Sequence, residues 1–286
     1  MEWWQAIILG IVQGLTEFLP ISSSGHLIIF PWVLDWETPG LTFDASLHLG
    51  TLLAVVVYFF REILLMIRAI PVALSDPVGI LTNSSPRRPR HQEARLGLLI
   101  AVTTVPGLIA GLLLEPVVVE LFHTDENSSF GIAMIATMLI VVGLLLWVAE
   151  RVGRRTREMH GLRWTDALVI GIAQAIAIIP GTSRSGATIT AGLFRGLERD
   201  DAARFSFLAG MPLILGAGLK SVLDVVQEGT EGSELLLYLL GGVSAAVVGF
   251  VTIWALLQFL QRRSTLVFTI YRIGFGLFLF LMLAVQ

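Results

Sequence analysis

Residues 10–25 read GIVQGLTEFLPISSSG, and residues 171–186 read GIAQAIAIIPGTSRSG. Both segments open on Gly-Ile-x-Gln and close on Ser-Gly, and they lie 161 positions apart, so the chain contains an internal duplication. In each copy an apolar stretch reaches a proline and then a turn that is rich in serine and glycine. Such breaks bring backbone groups and hydroxyls into the hydrophobic region of a membrane protein, where they commonly mark a binding site.

The composition is that of a membrane protein. Apolar residues make up 55% of the chain and charged residues 14%, and the mean hydropathy is +0.80. A soluble domain is less apolar and more highly charged. The chain has no cysteine, which excludes disulfides, thiolate nucleophiles and cysteine metal sites.

The apolar stretches predict the fold class. A helix needs about 20 apolar residues to cross the hydrocarbon layer, and six stretches are that long: 45–66, 97–122, 129–149, 205–226, 235–260 and 266–285. Two further stretches, 3–34 and 165–194, are interrupted at Pro20–Gly25 and Pro180–Gly186 and predict re-entrant helical hairpins. We therefore predict an all-α polytopic membrane protein, a single integral membrane domain over 1–286 with six transmembrane helices and two hairpins, about ten helices in all.

The arginines predict the orientation of the chain. The first 60 residues contain no Lys or Arg, whereas arginines crowd two loops, at 87–95 and 151–163. Loops rich in Lys and Arg are cytoplasmic, and they contact anionic membrane lipids, not nucleic acid. The acidic connection at 115–128 and both chain termini are then outside. On this assignment the first hairpin enters from outside and the second from inside, so repeat one (about 1–149) and repeat two (about 150–286) have inverted topology.

Glu17 is the first candidate for chemistry. On a helix Gly10, Gln13, Gly14 and Glu17 form one small and polar stripe. An unpaired carboxylate at membrane depth is costly, so we expect Glu17 to have a cation, a metal or a hydrogen-bond network as its partner. The alternative is a neutral glutamic acid that joins two helices, and Gln13 could likewise form an interhelical hydrogen bond.

The first turn supplies three hydroxyls, a glycine and then His26. Glycine allows close approach of a ligand, and N–H groups at the start of the next helix can face an anion. An imidazole suits nucleophilic or acid–base catalysis near neutral pH. The alternatives are a serine that caps a helix and a histidine that is only packed.

In the second turn Arg184 takes the position of Ser23. A guanidinium matches the geometry of phosphate oxygens. If the two turns meet, Glu17 can hold a divalent cation while Arg184 binds the phosphate, the division of labour that phosphoryl transfer needs. The alternative is that Arg184 forms only a salt bridge with Glu17. Asp44, His48 and Arg272 are candidates for supporting roles.

The segments GLTEFLPISSSGH and PGTSRSGAT, with FDASLHLGTLLAVVVYF leading the first span, closely resemble the bacterial undecaprenyl pyrophosphate phosphatase family of the bacitracin-resistance type. The resemblance covers essentially the whole chain. It implies hydrolysis of a phosphoric anhydride, which converts undecaprenyl pyrophosphate into the monophosphate carrier lipid for peptidoglycan synthesis. It also implies a multi-pass protein of the bacterial inner membrane whose site faces the periplasm, with Mg²⁺ or Ca²⁺ at Glu17 and Gln13. Gln13 stands where many relatives have Glu.

The same resemblance assigns roles within the two turns. The expected catalytic residues are Glu17, Ser23, His26 and Arg184, and the expected substrate-binding residues are Ser22, Ser24, Gly25, Thr182, Ser183, Ser185, Gly186 and Thr188. Either Ser23 attacks phosphorus with His26 as base, or His26 attacks directly, or water does. Inverted repeats with broken helices are also typical of secondary transporters, so a carrier or a lipid flippase for an anionic substrate is the competing function. A homodimer is a further expectation.

Overall fold

The computed structural model describes residues 1–37, 39–82, 88–123, 129–228 and 232–285. Within these ranges the chain is helical, with one isolated β-bridge between Arg157 and Leu197. The helices are α1 (Trp3–Thr16), α2 (Ser23–Leu34), α3 (Leu41–Tyr58), α4 (Phe60–Ser75), α5 (Pro77–Thr82), α6 (Pro89–His123), α7 (Ser129–Val152), α8 (Trp164–Ile176), α9 (Arg184–Phe194), α10 (Arg199–Glu228), α11 (Gly232–Arg262) and α12 (Leu266–Val285), with a 3₁₀ turn at Met159–Gly161. Arg87 and residues 124–128, which entered the orientation prediction, lie outside the described residues.

The all-α polytopic fold class is confirmed. In the described ranges α6, α7, α10, α11 and α12 are each long and apolar enough to cross a membrane, and α3 with α4 provides a sixth candidate. α3 and α4 meet at 80°, so the predicted span 45–66 is bent at Phe59. This bend and the short α5 raise the number of described α-helices from the expected ten or so to twelve.

Both hairpins are present. α1 ends before Glu17 and α2 begins at Ser23, while α8 ends at Ile176 and α9 begins at Arg184. Ser22 and Ser183, which are equivalent in the duplication, have φ angles of +80° and +69°. Each also accepts a hydrogen bond at its Oγ, at 3.4 Å from the N–H of Gly25 and at 3.0 Å from the N–H of Gly186. Because a positive φ is costly for a residue with a side chain, both turns store backbone strain at the same place.

The two halves exchange packing partners. α1 packs against α11, α8 packs against α6, and α7 packs against α12. The repeat-related Gly10 and Gly171 lie at the first two contacts, where an added Cβ would overlap the carbonyl oxygens of Gly241 and Thr103. Glycine is therefore needed for these close helix approaches. The repeat boundaries and the inverted orientation stay predictions.

A buried aromatic contact fixes the first turn against the rest of the protein. Phe18, which follows Glu17, has no exposed surface, and its ring meets that of Phe207 on α10 edge to face at 5.2 Å. Burial of one such side chain contributes about 1.5–3 kcal/mol. The contact sets the depth and direction of the polar residues on either side of it.

Candidate active site

Glu17 and Arg184 face each other between the two turns. Arg184 Nη2 donates to Glu17 Oε1 at 2.8 Å, and Nη1 donates to the carbonyl oxygen of Ser206 at 3.0 Å. The other carboxylate oxygen, Oε2, accepts from Gln13 Nε2 at 3.0 Å and from Ser23 Oγ at 2.7 Å. The prediction that the turns meet is confirmed. The salt bridge that was the alternative role of Arg184 is also present, as part of a larger network.

Arg272 of α12 joins the two turns from behind. The side chain is fully buried. It donates at 3.0 Å to the carbonyl oxygens of Pro20, Gly181 and Thr182, and its other donors reach carbonyl oxygens of α7. The carbonyls of Pro20, Gly181 and Thr182 lie where the helices are broken and cannot be satisfied within a helix, so one guanidinium replaces their missing partners. The sequence predicts a supporting role for Arg272, and in the structure this residue donates hydrogen bonds to both turns.

The hydroxyls of the second turn form a connected set. Ser185 Oγ donates to the carbonyl oxygen of Leu19 at 3.1 Å and lies 3.1 Å from Ser183 Oγ. Thr188 Oγ1 donates to the carbonyl oxygen of Arg184 at 2.7 Å and pairs with Ser206 Oγ at 2.6 Å. Thr182 Oγ1 is buried and has no hydrogen-bond partner among the described residues. The predicted phosphate-binding residues are thus gathered around the first helical turn of α9.

The polar residues of the first turn contact two different groups, Glu17 and Tyr271. Ser23 donates to Glu17, as described above, and Ser24 Oγ lies 3.5 Å from Ser22 Oγ. His26 is buried, with Nδ1 at 2.7 Å from the carbonyl oxygen of Ser22 and Nε2 at 2.6 Å from the hydroxyl of Tyr271. The acceptor for the Ser23 proton is therefore Glu17. Both ring nitrogens of His26 are engaged elsewhere.

Some residues at the site gave little or no signal in the sequence. Ser206 and Tyr271 appear in the sequence only as polar residues within apolar spans, and Gly210 as one glycine among many. His48, a candidate for support, places Nε2 at 3.7 Å from Glu17 Oε2, and its Nδ1 bonds the backbone carbonyl of Asp44 at 2.8 Å. These contacts come from other helices, so spacing along the chain could not reveal them.

The oxygens available for a divalent cation come mainly from α1. Gln13 Oε1 is buried and lacks a hydrogen-bond partner within the described ranges, while Nε2 of the same amide donates to the Glu17 carboxylate. The described residues contain no cluster of three or more His, Asp and Glu side chains that could hold a metal. Mg²⁺ and Ca²⁺ take six to eight oxygen ligands. The expected ligands Gln13 and Glu17 thus fit as part of a coordination shell.

Comparison with known proteins agrees with this geometry. A model of the bacitracin resistance protein BacA family matches residues 6–278. The chain belongs to this family. The resemblance that the quoted segments indicate is therefore confirmed, and it extends to helices α4 to α7 and α10 to α12, which lie outside those segments.

Individual relatives match the chain over most of its length. A protein named undecaprenyl-diphosphatase from Thermomicrobium roseum is 47% identical over 285 residues, 99% of each chain. Proteins of the same name from Moorella thermoacetica and Synechococcus elongatus are 46% and 43% identical, over 94% and 96% of this chain and 93% and 91% of their own. The similarity covers both turns and every described helix.

Proposed function

We propose that this protein is an undecaprenyl-diphosphatase, which hydrolyses undecaprenyl diphosphate to undecaprenyl phosphate and inorganic phosphate. The observation that carries the proposal is the buried Glu17–Arg184 pair between two hydroxyl-rich turns in a membrane protein. A lipid diphosphate can keep its prenyl chain in the bilayer while its headgroup reaches this pair. The product is the carrier lipid for peptidoglycan synthesis, and its recycling accounts for bacitracin resistance. None of the relatives quoted above carries the name of a transporter.

Arg184 binds the terminal phosphate. It opens α9, whose first N–H groups add partial positive charge, and its side chain is already aligned by Glu17 and the Ser206 carbonyl. Without substrate Glu17 is its counter-ion. A phosphate that takes over the Arg184 donors gains charge-assisted hydrogen bonds from a preorganised group. Ser183, Ser185 and Thr188 surround the same position and complete the phosphate site.

Ser23 is the nucleophile, and its nearest base is Glu17. The Ser23 O–H already points at Glu17 Oε2 at 2.7 Å, so the proton passes to this carboxylate as Oγ forms a bond to the terminal phosphorus. The bond from phosphorus to the bridging oxygen breaks, and undecaprenyl phosphate leaves with the bond's electron pair. Water then releases phosphate from Ser23. We assign His26 to proton transfer and not to attack, because both of its ring nitrogens are already engaged.

A divalent cation, Mg²⁺ or Ca²⁺, would be held by Glu17 and Gln13. When bound, it supplies positive charge that stabilises the charge developing on the phosphate oxygens. The support is the unpartnered Gln13 Oε1 beside a carboxylate. Because the protein offers few ligands of its own, the cation is expected to bind more tightly in the presence of the lipid diphosphate.

The location follows from the arginine distribution. We place this multi-pass membrane protein in the bacterial inner membrane, with both termini and the mouth of the site on the periplasmic side. The arginine-rich ends of α6, α7 and α8 are then cytoplasmic. A homodimer stays a prediction.

Trapping a phosphoenzyme tests these roles. Purified protein is mixed with undecaprenyl diphosphate that carries a labelled terminal phosphate, quenched in acid and separately in alkali, and mapped by peptide mass spectrometry. Phosphate on Ser23 after the acid quench, absent from Ser23→Ala and retained in Ser24→Ala, is the expected result. Acid-labile phosphate on His26, or turnover with no adduct at either residue, would refute the Ser23 assignment.

A chelator tests the cation. Release of phosphate should stop with a chelator and return with added Mg²⁺ or Ca²⁺. In Gln13→Ala the cation concentration that gives half-maximal activity should rise, with Gln174→Ala, the equivalent glutamine of the second repeat, as the matched control. Full activity in the chelator would exclude the cation.

A further inference from the structure

Tyr271 on α12 lies outside the sequence motifs and contacts His26. Its hydroxyl lies 2.6 Å from His26 Nε2, although the two residues are 245 positions apart. His26 is 2% exposed and Tyr271 is 42% exposed, so the phenol lies between the buried imidazole and the surroundings of the helix bundle. The Tyr271 hydroxyl is thus a polar contact at Nε2, on the outer edge of the imidazole.

The hydrogen bonds fix the position of the imidazole proton. Nδ1 lies 2.7 Å from the backbone carbonyl oxygen of Ser22, and a carbonyl oxygen can only accept. Nδ1 therefore carries the hydrogen. In the neutral imidazole Nε2 then has the lone pair, and the partner at Nε2 must be the donor. Among the described residues the hydrogen-bond partner at Nε2 is the phenolic O–H of Tyr271.

Stacking fixes the plane of the ring. The rings of Phe275 and Tyr271 both lie beside His26, at centroid distances of 4.9 Å and 5.8 Å with interplanar angles of 21° and 14°, and they are 5.7 Å from each other, so the three rings form one cluster. Phe30 lies 6.4 Å away on a tilted plane. The imidazole therefore cannot turn easily to present another atom, and Nε2 stays directed at the phenol.

We infer that Tyr271 is a positioning residue for His26, which holds the imidazole in the Nδ1–H tautomer and keeps Nε2 as the basic nitrogen of the site. When His26 takes up a proton at Nε2, the phenolic hydroxyl turns from donor to acceptor, and no heavy atom has to move. Any proton that His26 exchanges during turnover thus passes at the Tyr271 oxygen. The catalytic part of this inference rests on the proposed phosphatase function, whereas the tautomer does not.

Tyr271→Phe removes the hydroxyl and keeps the stacked ring. We expect kcat for phosphate release to fall on the order of tenfold to a hundredfold, the usual effect of removing a group that orients a catalytic residue, with KM changed less than about twofold. His26→Asn should cost much less in the Tyr271→Phe background than in the wild type, because both changes remove the same function. Tyr58→Phe is the matched control, because Tyr58 is a partly buried tyrosine elsewhere on the chain whose ring meets Phe59 edge to face.

Nitrogen NMR of histidine-labelled protein tests the tautomer without substrate. The wild type should show His26, identified by its loss in His26→Asn, with a protonated Nδ1 and a hydrogen-bonded, unprotonated Nε2. Tyr271→Phe should shift the Nε2 signal, whereas Phe275→Leu, which weakens the stack and keeps the hydroxyl, should leave it in place.

Wild-type kcat in Tyr271→Phe, a higher KM with unchanged kcat, or an unchanged Nε2 signal would each overturn the inference. If the folded wild type releases no phosphate, the proposed function fails instead, and the NMR result still decides the tautomer.

Discussion

At the residue scale, Gly210 leaves the space that the Arg184 guanidinium occupies. A Cβ at Gly210 would overlap both Nη1 and Cζ of Arg184. The guanidinium would have to move, and this would disturb its bonds to Glu17 and Ser206. The proposed phosphate site thus needs glycine at position 210 so that Arg184 can keep its place.

Gly210→Ala should therefore displace Arg184 and lower kcat/KM for phosphate release about 10- to 100-fold, the cost of misplacing a group by about 1 Å. Gly216→Ala is the matched control, because it lies on the same helix and has open space around its Cβ position. The comparison is made by phosphate release after both variants elute as single species in detergent. Equal activity of the two variants would contradict this role of Gly210.

The two arginines of the site differ in how far the sequence could predict them. Arg184 lies within a duplicated motif, and its local pattern predicts a phosphate ligand. Arg272 comes from the last helix and bonds carbonyls of turns 90 and 252 positions away. A costly charge in an apolar span signals that such a residue has partners. Only the folded chain shows that those partners are the two helix breaks.

At the element scale, the sequence predicts the helix breaks at the two turns but not the bend between α3 and α4. Proline, glycine and serine cluster at both turns, and these residues disfavour continuous helix for local reasons. The bend between α3 and α4 falls at Tyr58-Phe59-Phe60, which contains neither proline nor glycine. It is held by tertiary contacts: Phe59 is fully buried, and Arg204 lies 5.4 Å above its ring while donating to Glu62 at 2.8 Å.

A buried carboxylate anchors the start of the second hairpin. Asp166, in the first turn of α8, has no exposed surface. Its Oδ2 accepts from Arg157 Nη2 at 2.7 Å, and its Oδ1 accepts from Arg195 Nε at 2.5 Å. Because α9 leads directly to Arg195, this cluster closes the hairpin at the end opposite the polar turn. It should act on stability and not on chemistry.

Asp166→Asn should lower the apparent Tm by on the order of 5 °C, since it leaves two arginines without their shared anion. The effect is limited because both arginines are partly exposed and can be solvated. Thermal unfolding in detergent measures it, with the exposed Glu158→Gln as control. Phosphate release at low temperature should stay near the wild-type rate. An unchanged Tm would show that the cluster does not hold the hairpin.

At the scale of the whole molecule, the exchange of packing partners between halves supports inverted repeats. α1 meets α11 and α8 meets α6, so the first helix of each hairpin packs on a helix of the other half. The arginine distribution adds the direction, because the loop before α8 is basic and the segment before α1 is not. From these features we predict that the two hairpins enter from opposite sides of the membrane.

Single-cysteine labelling tests that orientation, and the absence of native cysteine makes it direct. Glu2→Cys and Arg154→Cys, both at exposed positions, should react with an impermeant maleimide from opposite sides. In intact spheroplasts we expect Glu2→Cys to be labelled and Arg154→Cys to be protected until the cells are opened. Labelling of both from the same side would contradict the inverted topology.

We propose that two repeat-related turns build one phosphatase site around Glu17 and Arg184. Its most direct test is phosphate release from undecaprenyl diphosphate by the purified wild type, Glu17→Ala and Arg184→Ala, with the exposed Arg262→Ala as control. We expect cation-dependent phosphate release by the wild type and the control, and a rate of release that is lower by about 100-fold or more in each site variant. Release by Glu17→Ala or Arg184→Ala near the wild-type rate, or no release by well-folded wild type with either cation, would contradict it.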